Sequence, residues 1–383
     1  MRWSALRPVG EPLGPIRADI RPEDVLPAGY RAVFVQSGTA ALALALLTVK
    51  GQSDASRRRV VLPAYGCPDL VAATLYAGLE PYLVDTAADS PFYDQEALSH
   101  ELDDRVLAVV CVHFLGFREQ VAEVTSLASR AGAVVIEDSA QALPPLDGAG
   151  LADLVVMSFG RGKPAGALGG GCLLLRGARA DALPVRHIGT HCTKRRLPLR
   201  LRRLGYNFAI TPELYGPLSR LAFLGIGETK YRPLDAIQPL NASDTPAALS
   251  QIHRVISEAI RTETRAKSLL RALPHDARLA PAPWVHTGIG SGIITRLPLI
   301  APTHSLRDRL HERLLGSGLG SSVMYGRWLP EITGIPPLRL PSSAKAKDFA
   351  KRILTLPVHS GLLQPDVARV VKTVRLCLVE PTR

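Results

Sequence analysis

Short, unbroken apolar runs punctuate the first half of the chain: AVFVQ at 32–36, VVL at 60–62, YLV at 82–84, LAVVCV at 107–112, AVVI at 133–136, LVVMSF at 154–159 and CLLL at 172–175. Segments of helical pattern separate most of the first five, AALALALLTVK at 40–50 being one. Continuous Val, Ile and Leu, without alternating polar residues, is what a strand buried on both faces requires. These runs predict an α/β fold, a mostly parallel sheet wound by helices. Ligands of such sheets bind beyond the carboxyl ends of the strands. Asp85, His113, Asp138 and Ser158 all stand at or just past such ends.

The pattern changes on either side. Residues 1–30 carry Pro8, Pro12, Pro15, Pro22 and Pro27 with little periodicity and read as an irregular arm. From 186 to 239 the chain is basic, weakly periodic and linker-like. A long helix is expected over 245–273, with Ala248, Ile252, Val255, Ile256, Ala259 and Ile260 on one face. Helices at 306–315, 346–352 and 365–377 and a strand at 354–358 predict a smaller α+β domain. The expected division is a large domain over 1–235 and a small C-terminal domain over 236–383.

Composition narrows the classes. The 383 residues are 46% hydrophobic and 21% charged, the balance of a globular chain. No apolar stretch is long enough for a spanning helix, and the N-terminus lacks the apolar run of a secretory signal, so a cytoplasmic location is expected. Five cysteines without a CxxC spacing speak against a disulfide framework. His187, His191 and Cys192 lie close together but have no carboxylate spaced with them, so no metal is expected. The net charge of +12 favours anionic partners in general. No helix-turn-helix, zinc-finger or aromatic RNA-binding signature supports nucleic acid among them.

Three local signals carry chemistry. In MSFGRGKPAGALGGG at 157–171, Lys163 sits in a glycine-rich loop after a buried strand. Desolvation there frees an amine for Schiff-base chemistry; a surface lysine is the plain alternative, and Pro164 rules out a phosphate-loop motif. In VVIEDSAQA at 134–142, a strand delivers Asp138, with Gln141 three residues on; Asp138 could equally cap a helix starting there. In QSGTAAL at 36–42, a strand-to-helix turn offers backbone N–H groups and a hydroxyl to an anion, or a simple cap. Together, a phosphate cradle, a strand-end acid and a loop lysine are what pyridoxal 5′-phosphate needs.

These segments, with LPAYG at 62–66, LYAGLEPYLVD at 75–85, VHFLG at 112–116 and LTLPVH at 354–359, resemble the DegT/DnrJ/EryC1/StrS family of fold-type I, pyridoxal-phosphate-dependent sugar aminotransferases. The resemblance implies that Lys163 carries the cofactor and moves the proton at the substrate carbon. It implies that Asp138 pairs with the pyridine nitrogen, and that Gln141 lies near the phenolic oxygen. Gly38, Thr39 and Ser158 would hold the phosphate. Lys163 also argues against the family's dehydratase branch, which has histidine there. The implied reaction takes an amino group from an amino acid, with glutamate the expected donor, to a nucleotide-linked keto sugar in ping-pong order. A homodimer with shared sites is implied as well. Two departures stand out. Cys67 occupies the position where the family stacks an aromatic residue on the pyridine ring, and Tyr65 is the alternative. The asparagine that reaches the neighbouring subunit's phosphate is Asn241 or Asn207. A carbonyl substrate other than a sugar, or a non-catalytic relative that keeps the cofactor pocket, are the competing readings.

One further run stands outside the motif set. KRRLPLRLRR at 194–203 holds six basic residues in ten. It reads as a solvated loop, as a site-mouth patch for a diphosphate, or as a membrane-surface contact. His113 is read as lining the crevice or as a hydrogen-bonded structural residue, and His359 as structural.

Overall fold

All seven apolar runs become strands of one sheet: β1 (Arg31–Val35), β2 (Arg59–Pro63), β3 (Glu80–Val84), β4 (Val106–Val112), β5 (Val134–Asp138), β6 (Leu154–Ser158) and β7 (Gly171–Leu175), in the order β1-β7-β6-β5-β4-β2-β3. The computed structural model describes residues 11–190, 197–219, 228–274, 279, 281–289, 293–341, 343–359 and 362–379. Strands β2 to β6 pair in parallel, and β7 runs antiparallel to both β6 and β1. Two reversals return β1 to the direction of β5 and β6, so the carboxyl ends of all three open on one edge of the sheet.

The helix Gly38–Lys50 follows β1 and is apolar almost all round, with Ala40 to Leu46 buried. Such a helix must be covered on every side, and it lies between the sheet and the helix Asp69–Tyr76. Its first turn comes unusually close to the strands. A Cβ on Gly38 would stand 2.7 Å from the Ser158 Cβ, and one on Gly171 would stand 2.4 Å from the Ser37 carbonyl carbon. Only glycine fits at either position.

A second, two-stranded antiparallel sheet pairs β8 (Arg296–Ile300) with β9 (Ile353–Pro357). The helix Thr245–Ala272 reaches both cores. Ala247, Ala248, Leu249 and Ile252 pack with Met157, Phe159 and Leu174 of the large sheet, whereas Ala266 and Leu269 join the core that contains Leu297 and Leu299. The expected apolar face breaks at Ile260, which is 79% exposed. The break falls where the helix passes from one core to the other and its Val255, Glu258 and Thr262 border the cleft instead.

The stretch expected to be irregular, 186–239, contains the helices Leu199–Ala209 and Pro212–Ser219. Apolar periodicity missed the first because its inward face is polar. Arg202 pairs with Asp244 at 3.2 Å, Arg203 donates to the Gly14 carbonyl, and Asn207 exchanges two hydrogen bonds with the Leu13 backbone. The same bonds hold residues 11–17 of the arm, helped by an Arg254–Glu11 ion pair at 3.1 Å. Apart from the short helix Pro22–Val25, residues 11–30 are irregular as expected, with Leu13, Ile20, Val25 and Leu26 buried.

Asp85, expected to line the crevice, does different work. Its buried carboxylate accepts hydrogen bonds from the backbone N–H groups of Lys345 (2.9 Å) and Ala346 (2.8 Å) and from the Ser343 hydroxyl. It thereby caps the helix Lys345–Arg352 from the end of β3, tying the C-terminal segment to the sheet edge. Asp85→Ala leaves these donors buried without an acceptor and should lower the unfolding free energy by about 3 kcal/mol, read as a reduced urea midpoint.

Candidate active site

The edge where β1, β5 and β6 end gathers the residues singled out in the sequence. Ser37 caps the helix Gly38–Lys50, its hydroxyl accepting from the Ala40 N–H at 3.1 Å. Gly38 and Thr39 form the first turn, against Ser158 at the end of β6. A helix N-terminus with a hydroxyl beside it attracts an anion. The following loop is built for close backbone approach: Gly162, Gly169 and Gly170 all have positive φ, as does Leu168. Lys163 lies in this loop and lines a cleft together with Tyr206, Arg254, Arg296 and His359.

Asp138 ends β5 and is 8% exposed. No helix starts after it; residues 139–142 make a turn, and Asp138 accepts from the Ala140 N–H at 2.8 Å. The helix-cap alternative therefore gives way to a turn-capping carboxylate that also faces the lysine. Burial pushes the Asp138 carboxyl up from its ordinary value, while the charge of Lys163 pulls it down. Burial and Asp69 push the Cys67 thiol up to about 12, with Lys163 again opposing. Cys67, Asp138 and Lys163 thus lie near enough to influence one another's charge.

The two candidates at the aromatic position separate cleanly. Tyr65 is 1% exposed, with Phe114, Tyr325 and Phe349 around its ring at 5.7, 5.4 and 4.9 Å. It is a core residue between the sheet and the helix Lys345–Arg352. Cys67 is the half-buried residue beside Asp138 and Lys163. The two asparagines also separate. Asn207 uses its amide on Leu13. Asn241 lies on a loop that runs along β1, where Leu240 donates to the Phe34 carbonyl and stands against Gly170.

Gln141 is nearly buried; its oxygen accepts from the Leu115 N–H at 3.3 Å and its amide donates to the Tyr325 hydroxyl at 2.5 Å. Tyr325 escaped the sequence reading, as did Arg296. Burial, with Cys67, Tyr65 and Asp138 nearby, raises the Tyr325 phenol well above its ordinary value. Burial pulls the Arg296 guanidinium down to about 10. Both come from the C-terminal half, outside its one motif, LTLPVH; only Met324, whose φ is +54°, hints at a shaped turn beside Tyr325. His359, read as structural, is buried at the end of β9 and faces the cleft.

Strand alternation sends Glu137 to the opposite face from Asp138. There Glu137 accepts from His113 Nε2 at 2.8 Å, Arg118 at 3.0 Å and the Ala152 N–H. His113 Nδ1 accepts from the Glu119 N–H at 3.2 Å, which places the ring proton on Nε2. The structural reading of His113 is the one this geometry favours. His191 and Cys192 lie outside the described residues; His187 is in a short 3-10 turn.

Residues 29–212 match the DegT/DnrJ/EryC1/StrS aminotransferase family. The chain is 26% identical over 366 residues to dTDP-4-dehydro-2,3,6-trideoxy-D-glucose 4-aminotransferase of Saccharopolyspora spinosa, covering 89% of this chain and 82% of that protein. Over 134 residues it is 35% identical to Protein MosB of Rhizobium meliloti, which is 35% of this chain but only 26% of that protein's length. Among solved structures, a DegT DnrJ EryC1 StrS aminotransferase from Brucella abortus superposes with a TM-score of 0.67 at 20% identity, covering 94% of this chain and 88% of that one. The fold and the edge-of-sheet site define the α/β class of protein that these aminotransferases share. The matched segment, residues 29–212, holds Gly38, Cys67, Asp138, Gln141, Ser158 and Lys163.

Pyridoxal 5′-phosphate is the cofactor of this class, and the residues present fit it. The steric cradle at Gly38 and Ser158 suits a phosphate, and the buried Asp138 opposite Lys163 suits a ring nitrogen and an aldehyde. Two outcomes are expected. Borohydride treatment with the cofactor should attach a pyridoxyl label to Lys163, located by peptide mass spectrometry; a label elsewhere, or none, contradicts the assignment. For Glu137, burial alone would raise the carboxyl, but His113, the Ala152 N–H and Arg118 outweigh it and hold it below its usual value. The resulting stabilisation is present near neutral pH and is lost as pH falls through the lowered value. Glu137→Gln should cost about 3 kcal/mol near pH 7, and the gap to wild type in thermal midpoint should narrow below about pH 4.

Proposed function

We propose that the protein transfers an amino group from an amino acid, with glutamate as donor, to a keto sugar linked to a nucleotide. The observation that supports this most is that the cleft lysine, Lys163, acts electrostatically on both Asp138 and Cys67, with the Gly38–Ser158 cradle at the end of the strand before its loop, in a chain whose residues 29–212 match this family. Relatives whose names state nucleotide-sugar amination, among them GDP-perosamine synthase of Escherichia coli O157:H7, support the acceptor class.

In this reading Gly38, Thr39 and Ser158 hold the phosphate, Asn241 reaches that of a neighbouring subunit, and Gln141 and Cys67 border the ring. When bound, pyridoxal 5′-phosphate supplies an electron-withdrawing ring and a carbon that amines attack. Lys163 Nζ moves the proton at the donor's Cα. Asp138 keeps a proton on the ring nitrogen, and its burial beside Lys163 holds that pairing away from water. Arg296 and Arg161 on the cleft wall supply positive charge for the donor's carboxylate and the acceptor's diphosphate. Residues 1–235 form the cofactor-holding unit and 236–383 close over the substrate. The working form is a cytoplasmic homodimer.

Purified protein, glutamate and a panel of keto-sugar nucleotides, followed by mass spectrometry, test the proposal. Amination of one of them with release of 2-oxoglutarate is expected; cofactor labelling at Lys163 without amination of any would leave the non-sugar carbonyl reading in its place. Asp138→Asn should still bind the cofactor but release 2-oxoglutarate from glutamate about 100-fold more slowly. Near-normal release would reduce Asp138 to a turn-capping residue.

A further inference from the structure

The helix Leu199–Ala209 carries its polarity inside out. Arg202, Arg203 and Asn207 face the protein and are engaged with Asp244, Gly14 and Leu13. Leu201, Leu204 and Phe208 face away and are 55%, 67% and 68% exposed, and Leu197, just before the helix, is 70% exposed. Spacings of four, three and four residues set these side chains in one stripe. Gly205, between them, has nothing within 4 Å of where a Cβ would be, so no part of the described chain lies over that position. An apolar stripe of this kind on a surface helix marks a contact with something else.

Charge decides between the occupants. Arg200 is exposed beside the stripe, and Lys194, Arg195 and Arg196, which lie outside the described residues, precede Leu197 directly in the sequence. The whole chain carries +12. A second copy seated on this helix about a twofold axis through the stripe would bring Arg200 toward its own counterpart, which costs free energy. An anionic lipid surface accepts both features, the apolar side chains below the headgroups and the cations among them. We propose that the helix Leu199–Ala209 docks this protein on an anionic membrane surface, with Leu201, Leu204 and Phe208 entering the boundary between headgroups and acyl chains. Tyr206, on the inward side of the same helix, lines the cleft. Docking therefore sets the substrate cleft one helix width, about 10 Å, from the lipid surface.

The test is flotation of the full-length protein with vesicles of phosphatidylcholine alone or mixed equally with phosphatidylglycerol. Wild type should float with the mixed vesicles, not with phosphatidylcholine, and less so at high salt. The combined variant Leu201→Ser, Leu204→Ser, Phe208→Ser should lose about tenfold or more of that binding, with its circular dichroism unchanged. Arg200→Glu should weaken it about tenfold. If the triple variant fails to fold, Phe208→Trp gives a direct reading, since brominated lipid should quench the added fluorescence. Failure of wild type to float, equal flotation of the folded triple variant, or no quenching in vesicle-bound Phe208→Trp would each overturn the proposal. Conversion of a non-floating wild-type dimer to a monomer by the triple variant would assign the stripe to a second copy.

Discussion

Everything at the candidate site depends on one steric closeness: the first turn of the helix after β1 is pressed onto the ends of β6 and β7. Gly38 leaves room for Ser158, and Gly171 leaves room for Ser37. A side chain at either position would push the helix away by an ångström or more. The anion-attracting N-terminus would then part from the hydroxyl and from the loop that bears Lys163. The double reversal through β7 makes the closeness possible, because it brings β1 back beside the parallel strands with its carboxyl end on their side.

The pleat of β5 divides two adjacent acids between two kinds of work. Glu137 turns to one face and is held by His113, Arg118 and a backbone N–H, a polar cluster in which the acid and the imidazole are buried. Asp138 turns to the other face and comes under the charge of Lys163. Burial raises the proton affinity of both, yet only Glu137 has enough donors to reverse the effect. A carboxylate left less fully satisfied and opposite a lysine is free to partner a bound molecule. On the role proposed for Asp138, the difference between the two acids lies in a count of donors, set by which face the strand presents.

Polar contacts act beside apolar burial in attaching the outlying parts of the chain. Asp85 reaches from β3 to cap the helix Lys345–Arg352, and Asn207, Arg203 and Arg254 bind the arm. The helix Leu199–Ala209 turns its polar residues toward these partners, which leaves its leucines and Phe208 facing outward. The surface that results follows from the way the arm is held.

The large sheet and half of the candidate site were legible in the residues themselves. Strands buried on both faces must be continuously apolar, so seven runs marked seven strands, and the site residues stood at their ends or in the glycine-rich turns beyond, where local spacing records them. Lys163, Asp138, Gln141, Ser158 and Gly38 all belong to segments of a few residues whose chemistry is local. Tyr325 and Arg296 do not. Each is an ordinary residue in the C-terminal half, and packing alone brings Tyr325 to Gln141 and Arg296 to the cleft wall. The choices between Cys67 and Tyr65, and between Asn241 and Asn207, were beyond the sequence for the same reason. Neighbouring or similar residues differ only in where the folded chain sends their side chains: Tyr65 into the core, Asn207 to the arm. The helix Leu199–Ala209 was illegible because the rule that apolar faces point inward, which served for every strand, is reversed there by partners almost two hundred residues away in sequence.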